Sequence, residues 1–262
     1  MNELHALLVS SDGRIEVEEY GGGYGPAKPH ALYSGTKSFW GIAALAAQAE
    51  SIIDLDAPVV QHLPEFAQDV RARITPRMLL QMTAGYGFGG LGNAVPTYDR
   101  ALEIPLKITP GAKFTYSGIP LQVFGAYFAR ALASRKQTPH EYLRDAILTP
   151  AGVEVAAWRE LADHTHPLPT GAQLTARAWL AYGTYILAHR ELFADAFRGS
   201  DANPHYGLCW WFAPPKLPED IFYASGASGQ ALYVIPSRAM VVVRFGKSTS
   251  YKHESFLKRL LV

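Results

Sequence analysis

Two hydrophobic periods divide this chain. Near its beginning, Leu4 to Ser10 is an apolar strand-like run, and from Arg14 to Tyr20 the apolar Ile15 and Val17 alternate with polar residues. Alternation of this kind buries one face of a strand. Asp12-Gly13 between the two runs is a type I′ hairpin signal, and Gly21-Gly22-Gly23 ends the second strand. The far end is also β: Ile221 to Ala224, Gln230 to Ile235 and Met240 to Phe245 read as strands, the last two joined by a turn at Pro236-Ser237-Arg238. A closing helix from His253 to Leu261 puts Phe256, Leu257, Leu260 and Leu261 on one stripe.

Between these ends the period becomes helical. Thr36 to Glu50 is apolar and alanine-rich, and Leu121 to Ala133 and Thr175 to Ala188 are further helical runs. Thr75-Pro76 supplies an N-cap and a first-turn proline ahead of Met78-Leu79-Leu80. Pro105, Pro110, Pro167, Pro169, Pro214, Pro215 and Pro218 mark loops. The order strands–helices–strands predicts an α/β (α+β) protein. Residues 1–31 and 219–262 form an antiparallel sheet lobe with flanking helices and a terminal helix. Residues 32–218 form an inserted, mainly helical lobe, with a site in the cleft between the two.

Composition narrows the function. With 48% hydrophobic and 18% charged residues, the 262-residue chain is built for a large core and not for disorder. Twenty-four Lys and Arg against 23 Asp and Glu give a net charge of +1, which offers no footprint for nucleic acid and no polybasic membrane signal. The longest apolar stretch, Trp40 to Ala47, falls far short of the roughly 20 residues that cross a bilayer. Cys209 is the single cysteine, so an intrachain disulfide and a cysteine zinc cluster are excluded. The opening MNELHALLVSSDGR has no basic region followed by an apolar core, hence no signal peptide, which points to the cytoplasm unless further residues precede this chain.

Three short segments carry candidate chemistry. In Ser34-Gly35-Thr36-Lys37 the serine stands where a loop becomes an apolar helix, and a spacing of three lets Lys37 point back at the Ser34 hydroxyl. Serine needs a nearby base to become a nucleophile, and a lysine with a lowered pKa can serve. Ser255-Phe256-Leu257-Lys258 repeats the pattern, but inside the terminal helix with Lys258 toward solvent, and reads as a chance match. In Pro110-Gly111-Ala112-Lys113-Phe114-Thr115-Tyr116-Ser117-Gly118 the Tyr116 phenol is either a proton shuttle or a buried structural tyrosine. In Tyr223-Ala224-Ser225-Gly226-Ala227-Ser228-Gly229-Gln230 small residues on a strand edge admit a substrate backbone, and backbone N–H groups there can hold an oxyanion; a plain glycine-rich turn reads equally well.

Other motifs fail their context. Gly85-Tyr86-Gly87-Phe88-Gly89-Gly90 fits G-x-G-x-x-G but follows a helical pattern, so it reads as a loop bordering the cleft. His164-Thr165-His166 has no accompanying ligand set for a metal. Gly226-Ala227-Ser228-Gly229-Gln230 ends in glutamine, so no nucleophile elbow is present.

Taken together, the order and spacing of the three segments resemble the serine β-lactamase and penicillin-recognising family, in particular its class C-like, carboxylesterase-type branch. Supporting stretches are Leu32 to Phe39, Ile53 to Val59, Ile74 to Gly85 and Tyr206 to Trp211. The resemblance implies a β-lactamase/transpeptidase-like fold and a serine hydrolase acting through an acyl-enzyme, with no metal and no cofactor. It implies Ser34 as nucleophile, Lys37 as proton acceptor, Tyr116 as the second-motif tyrosine, and the N–H groups of Ser34 and Ala227 as the oxyanion hole. Ser225, Gly226, Gly118, Tyr86 and Trp210 are the expected substrate-side residues. Two positions depart from the family pattern: Gly118 stands where a polar side chain is usual, and Ala224 where a cation is usual. Both losses favour a small-molecule ester or amide substrate over β-lactams, with a β-lactamase, D-aminopeptidase or oligomeric-amide hydrolase as alternatives. The same losses leave room for a catalytically weak ligand-binding protein on this fold.

Overall fold

The computed structural model describes residues 3–213 and 216–261; Pro214 and Pro215, expected in a loop, lie outside the described residues. In chain order the strands are β1 (Glu3–Ser11), β2 (Arg14–Tyr20), β3 (His30–Ala31), β4 (Ala157–Trp158), β5 (Ala172–Leu174), β6 (Trp211–Phe212), β7 (Phe222–Gly226), β8 (Gln230–Ile235) and β9 (Met240–Lys247). The helices are α1 (Ser38–Ala49), α2 (Pro76–Leu80), α3 (Tyr98–Leu102), α4 (Ile119–Ala131), α5 (Pro139–Leu143), α6 (Ala176–Ala188) and α7 (His253–Leu260). Short 3-10 turns and one π turn, Arg144–Leu148, connect them.

Both chain ends enter one antiparallel sheet in the order β2-β1-β9-β8-β7-β6. The first hairpin is made by Asp12 and Gly13, at φ +48° and +77°, the two positive values a type I′ turn requires. The central strand β8 is buried along its whole length, because both faces are covered. On one face α6 lies across β9, β8 and β1. On the other, α7 lays Leu257 onto Val9, Tyr233, Ile235 and Val242, with Phe256, Leu260 and Leu261 beside it. A fully buried apolar side chain contributes about 1.5–3 kcal/mol, so α7 is held by its stripe and not by helix propensity. The remaining helices and a small sheet, β3-β5-β4, surround α1. Residues 32–218 are thus less purely helical than the pattern suggests: they add β6 to the edge of the main sheet and α6 to its face.

Among the described residues, no helix is long and apolar enough to cross a membrane, and no group of three or more His, Cys, Asp or Glu is placed to hold a metal ion.

Candidate active site

Helix α1 does not begin at Thr36. The chain first makes a tight 3-10 turn, Tyr33–Lys37, and only then continues as α-helix. Tyr33 enters that turn at φ +49°, the left-handed region. A non-glycine residue held there costs on the order of 1–3 kcal/mol, the kind of strain found at functional turns. The result lifts Ser34 to a partly exposed position while Gly35, Thr36, Lys37 and Ser38 stay buried.

Lys37 is 1% exposed. Its Nζ donates to Ser34 Oγ at 2.9 Å and to Pro169 O at 2.9 Å, and stands 4.9 Å from the centre of the Tyr116 ring. No carboxylate offsets its burial, and desolvation draws its pKa down to about 7. A substantial fraction of Lys37 is therefore a neutral amine near neutral pH. Burial acts in the opposite sense on the phenol: Tyr116 is pushed up to about 12, against the opposing effect of a hydrogen-bonding interaction with the Ser34 hydroxyl. The phenol is thus protonated at neutral pH and able to donate.

Pro169 belongs to an unusual segment. Four successive carbonyls each accept a side-chain hydrogen bond: His166 O from Tyr98 Oη (3.1 Å), Pro167 O from Trp158 Nε1 (3.1 Å), Leu168 O from Trp40 Nε1 (2.7 Å) and Pro169 O from Lys37 Nζ. Leu168 N–H in turn donates to Gln122 Oε1 at 2.9 Å. A cavity of about 1030 Å³ opens beside this segment, walled by Tyr98, His140, Trp158 and His166; Ser34 is not part of its lining.

The third segment abuts the first. A Cβ on Gly226 would stand 2.1 Å from Leu32 O, so only glycine lets β7 approach the Ser34 turn this closely. Ala227 follows at the exposed end of β7. Its position is fixed by the buried Gln230 side chain, which donates to Ala227 O (2.9 Å) and Gly246 O (2.7 Å) and accepts from Gly246 N–H (2.9 Å). Ala224 is 2% exposed and supplies no charge. Ser225 is partly exposed, and its hydroxyl lies 3.0 Å from His253 Nε2.

The departure at Gly118 has a steric reason. A Cβ there would meet Gly90 O at 1.8 Å and Pro169 Cγ at 3.2 Å. The 85–90 loop, tied down by bonds from Gly118 N–H and Ser117 Oγ to Gly89 O, occupies the space a polar side chain would need.

Two expected lining residues are elsewhere. Trp210 is completely buried and donates its indole N–H to Ser38 O at 3.1 Å; it supports the start of α1 from within the core. Tyr86 is 1% exposed and its hydroxyl has no partner. The aromatic residue at the site is Trp211, partly buried and packed with its ring centre 5.6 Å from that of Tyr116, beside Phe114 and Tyr206. Cys209 lies beneath the site at φ +65°, its thiol pushed up to about 12 by burial and directed at Leu80 O. It is an inert core thiol.

The family model described as Beta-lactamase matches residues 5–259. The chain belongs to the Beta-lactamase family. Known members of similar architecture include a Rhodobacter sphaeroides class C β-lactamase, with a TM-score of 0.75 at 15% identity over 98% of this chain and 93% of that one. A Bacillus anthracis protein designated a 6-aminohexanoate-dimer hydrolase superposes with a TM-score of 0.81 at 20% identity, over 97% of this chain and 76% of its own. These likenesses establish the β-lactamase/transpeptidase-like fold. In sequence, Esterase EstB of Burkholderia gladioli is 32% identical over 124 residues, covering 38% of this chain and 31% of the esterase. The stretch shared with the esterase is thus about a third of that protein's length. The family is one of serine hydrolases, and its relatives here span lactamases and esterases.

Proposed function

We propose that this Beta-lactamase family member is a serine hydrolase that cleaves esters or small amides through an acyl-enzyme on Ser34. The observation that carries this reading is the 2.9 Å bond between Ser34 Oγ and a buried lysine whose pKa is drawn down to about 7. Neutral Lys37 takes the Ser34 proton as Oγ attacks the carbonyl carbon, and becomes an ammonium ion. The N–H groups of Ser34 and Ala227 hold the developing oxyanion; removing one such donor typically costs about 10²–10³ in rate. Tyr116 gives its phenolic proton to the departing oxygen or nitrogen and regains one from the Lys37 ammonium beside its ring. Water then attacks the acyl carbon, neutral Lys37 accepts its proton and passes it to Ser34 Oγ, and Ser34 is released as the acid departs.

Esters and neutral amides are favoured because the Ala224–Ala227 edge carries no cation for a substrate carboxylate and Gly118 offers no side chain. The similarity to an esterase, modest in extent, points the same way. The decisive experiment is intact-protein mass after exposure to a fluorophosphonate. One adduct on the parent and none on Ser34→Ala is the expected result. A folded parent that takes no adduct, and cleaves neither ester nor amide, would move the chain to the ligand-binding reading.

A further inference from the structure

Ser225 ends a chain of hydrogen bonds that the hydrolytic scheme does not use. Its Oγ lies 3.0 Å from His253 Nε2; His253 Nδ1 lies 2.7 Å from Tyr233 Oη; and Tyr233 Oη lies 2.7 Å from Tyr251 Oη. His253 opens α7, Tyr233 belongs to β8 and Tyr251 to the segment between β9 and α7, so three parts of the fold converge behind one serine. Burial, with Arg244 acting in the same direction, draws the His253 pKa down to about 4. Arg244 itself is engaged by Gly229 O and the Tyr251 ring. The imidazole is therefore neutral, with one donor and one acceptor nitrogen.

Such a chain has two self-consistent arrangements. In one, Ser225 donates to Nε2, Nδ1–H donates to Tyr233, and Tyr233 donates to Tyr251; the Ser225 oxygen then offers lone pairs outward. In the other, Tyr251 donates to Tyr233, Tyr233 donates to Nδ1, and Nε2–H donates to Ser225, whose own proton is then free to point outward. Passing between them turns the three hydroxyl groups and shifts the imidazole proton from Nδ1 to Nε2 by exchange with water, and leaves every group uncharged.

We propose that Tyr251, Tyr233 and His253 are positioning residues that set the polarity of the Ser225 hydroxyl, and that Ser225 reads a neutral hydrogen-bonding group on the substrate. Ser225 is the polar side chain of the Ala224–Ala227 edge, one residue before the glycine that packs on the Ser34 turn and two before the Ala227 N–H. The substrate class follows: esters or amides whose acyl or leaving group bears a ketone, amide or hydroxyl near the scissile carbonyl. This rests on the hydrolase reading above.

Two measurements test it separately. Kinetics compare p-nitrophenyl 4-oxopentanoate with p-nitrophenyl pentanoate, which differ by one ketone. The parent prefers the ketone ester through a lower KM. Tyr233→Phe and, independently, Ser225→Ala cut that preference by roughly threefold to tenfold, the worth of one neutral hydrogen bond. Equal losses on both esters, or no preference in the parent, overturn the proposal. In ¹⁵N-histidine NMR, with the His253 signals identified by their loss in His253→Phe, both ring nitrogens of the parent show shifts intermediate between protonated and bare. In Tyr233→Phe they separate into a fixed pair. A fixed pair in the parent overturns the relay. A parent inert to both esters and to fluorophosphonate overturns the hydrolase reading instead, while the nitrogen shifts still decide the relay.

Discussion

The chain contains Ser-x-x-Lys twice, and the two copies share nothing but their letters. At Ser34–Lys37 the serine is partly exposed and the lysine is sealed, with its ammonium donors on Ser34 Oγ and Pro169 O. At Ser255–Lys258 both residues are exposed on α7, and Lys258 reaches back one turn to Glu254. An exposed i,i+4 pair is worth about 0.3–0.5 kcal/mol. The first copy has no carboxylate partner and a depressed pKa. Desolvation, and not spacing, turns a lysine into a base. Four experiments bear on the difference.

The largest effect falls on the nucleophiles. Ser34→Ala should abolish both covalent labelling and turnover, whereas Ser255→Ala should label like the parent; mass spectrometry reads both. If Ser255→Ala alone removed labelling, the two sites would have been assigned the wrong way round. Next come the lysines. Lys37→Met should lower kcat by about 10²–10⁴, the usual contribution of a general base, and Lys258→Met should change it less than about twofold, as surface pairs do.

The third contrast is in pH. Lys37 must be neutral to accept a proton, so kcat/KM should rise with pH through about 7. Stability should follow the same direction. Lys37 binds its proton more weakly folded than unfolded, so the unfolded chain holds more protons between about 7 and the ordinary lysine value. The deficit is complete below pH 7 and diminishes as pH rises through that window. Parent and Lys37→Met denaturation curves should therefore converge toward high pH, and parallel curves would contradict the shift.

The smallest effect is structural. Gly118→Ala should destabilise by about 1–3 kcal/mol, because the new Cβ would collide with Gly90 O. Urea melting would show it, and an unchanged midpoint would mean the 85–90 loop moves aside freely.

The parts of this molecule that repeat were legible in its sequence. Strands β2 and β8 lie where alternation and turn residues put them, and the α7 stripe packs as its spacing requires. Strands β3, β4 and β5, each two or three residues long, are too short to show a period. The candidate site divides along the same line. Ser34 and Lys37 are local, three residues apart on one turn. The partners that give them character are not: Pro169 is 132 residues from Lys37, and His253 is 28 from Ser225. Hydrophobicity marks Trp210 and Trp211 as a pair but does not say that Trp210 is the buried member and Trp211 the partly exposed one.

The row of carbonyls from His166 to Pro169 sets a rule about chain length. Each successive oxygen has its own donor, Tyr98, Trp158, Trp40 and Lys37, so deleting or inserting one residue there would hand every donor the wrong neighbour at once. Substitutions leave a carbonyl in place and should be absorbed; a frameshift of the backbone should not. Loop grafting to change what this protein accepts should therefore cut before Thr165 or after Thr170 and carry the six residues between the cuts through unchanged in number.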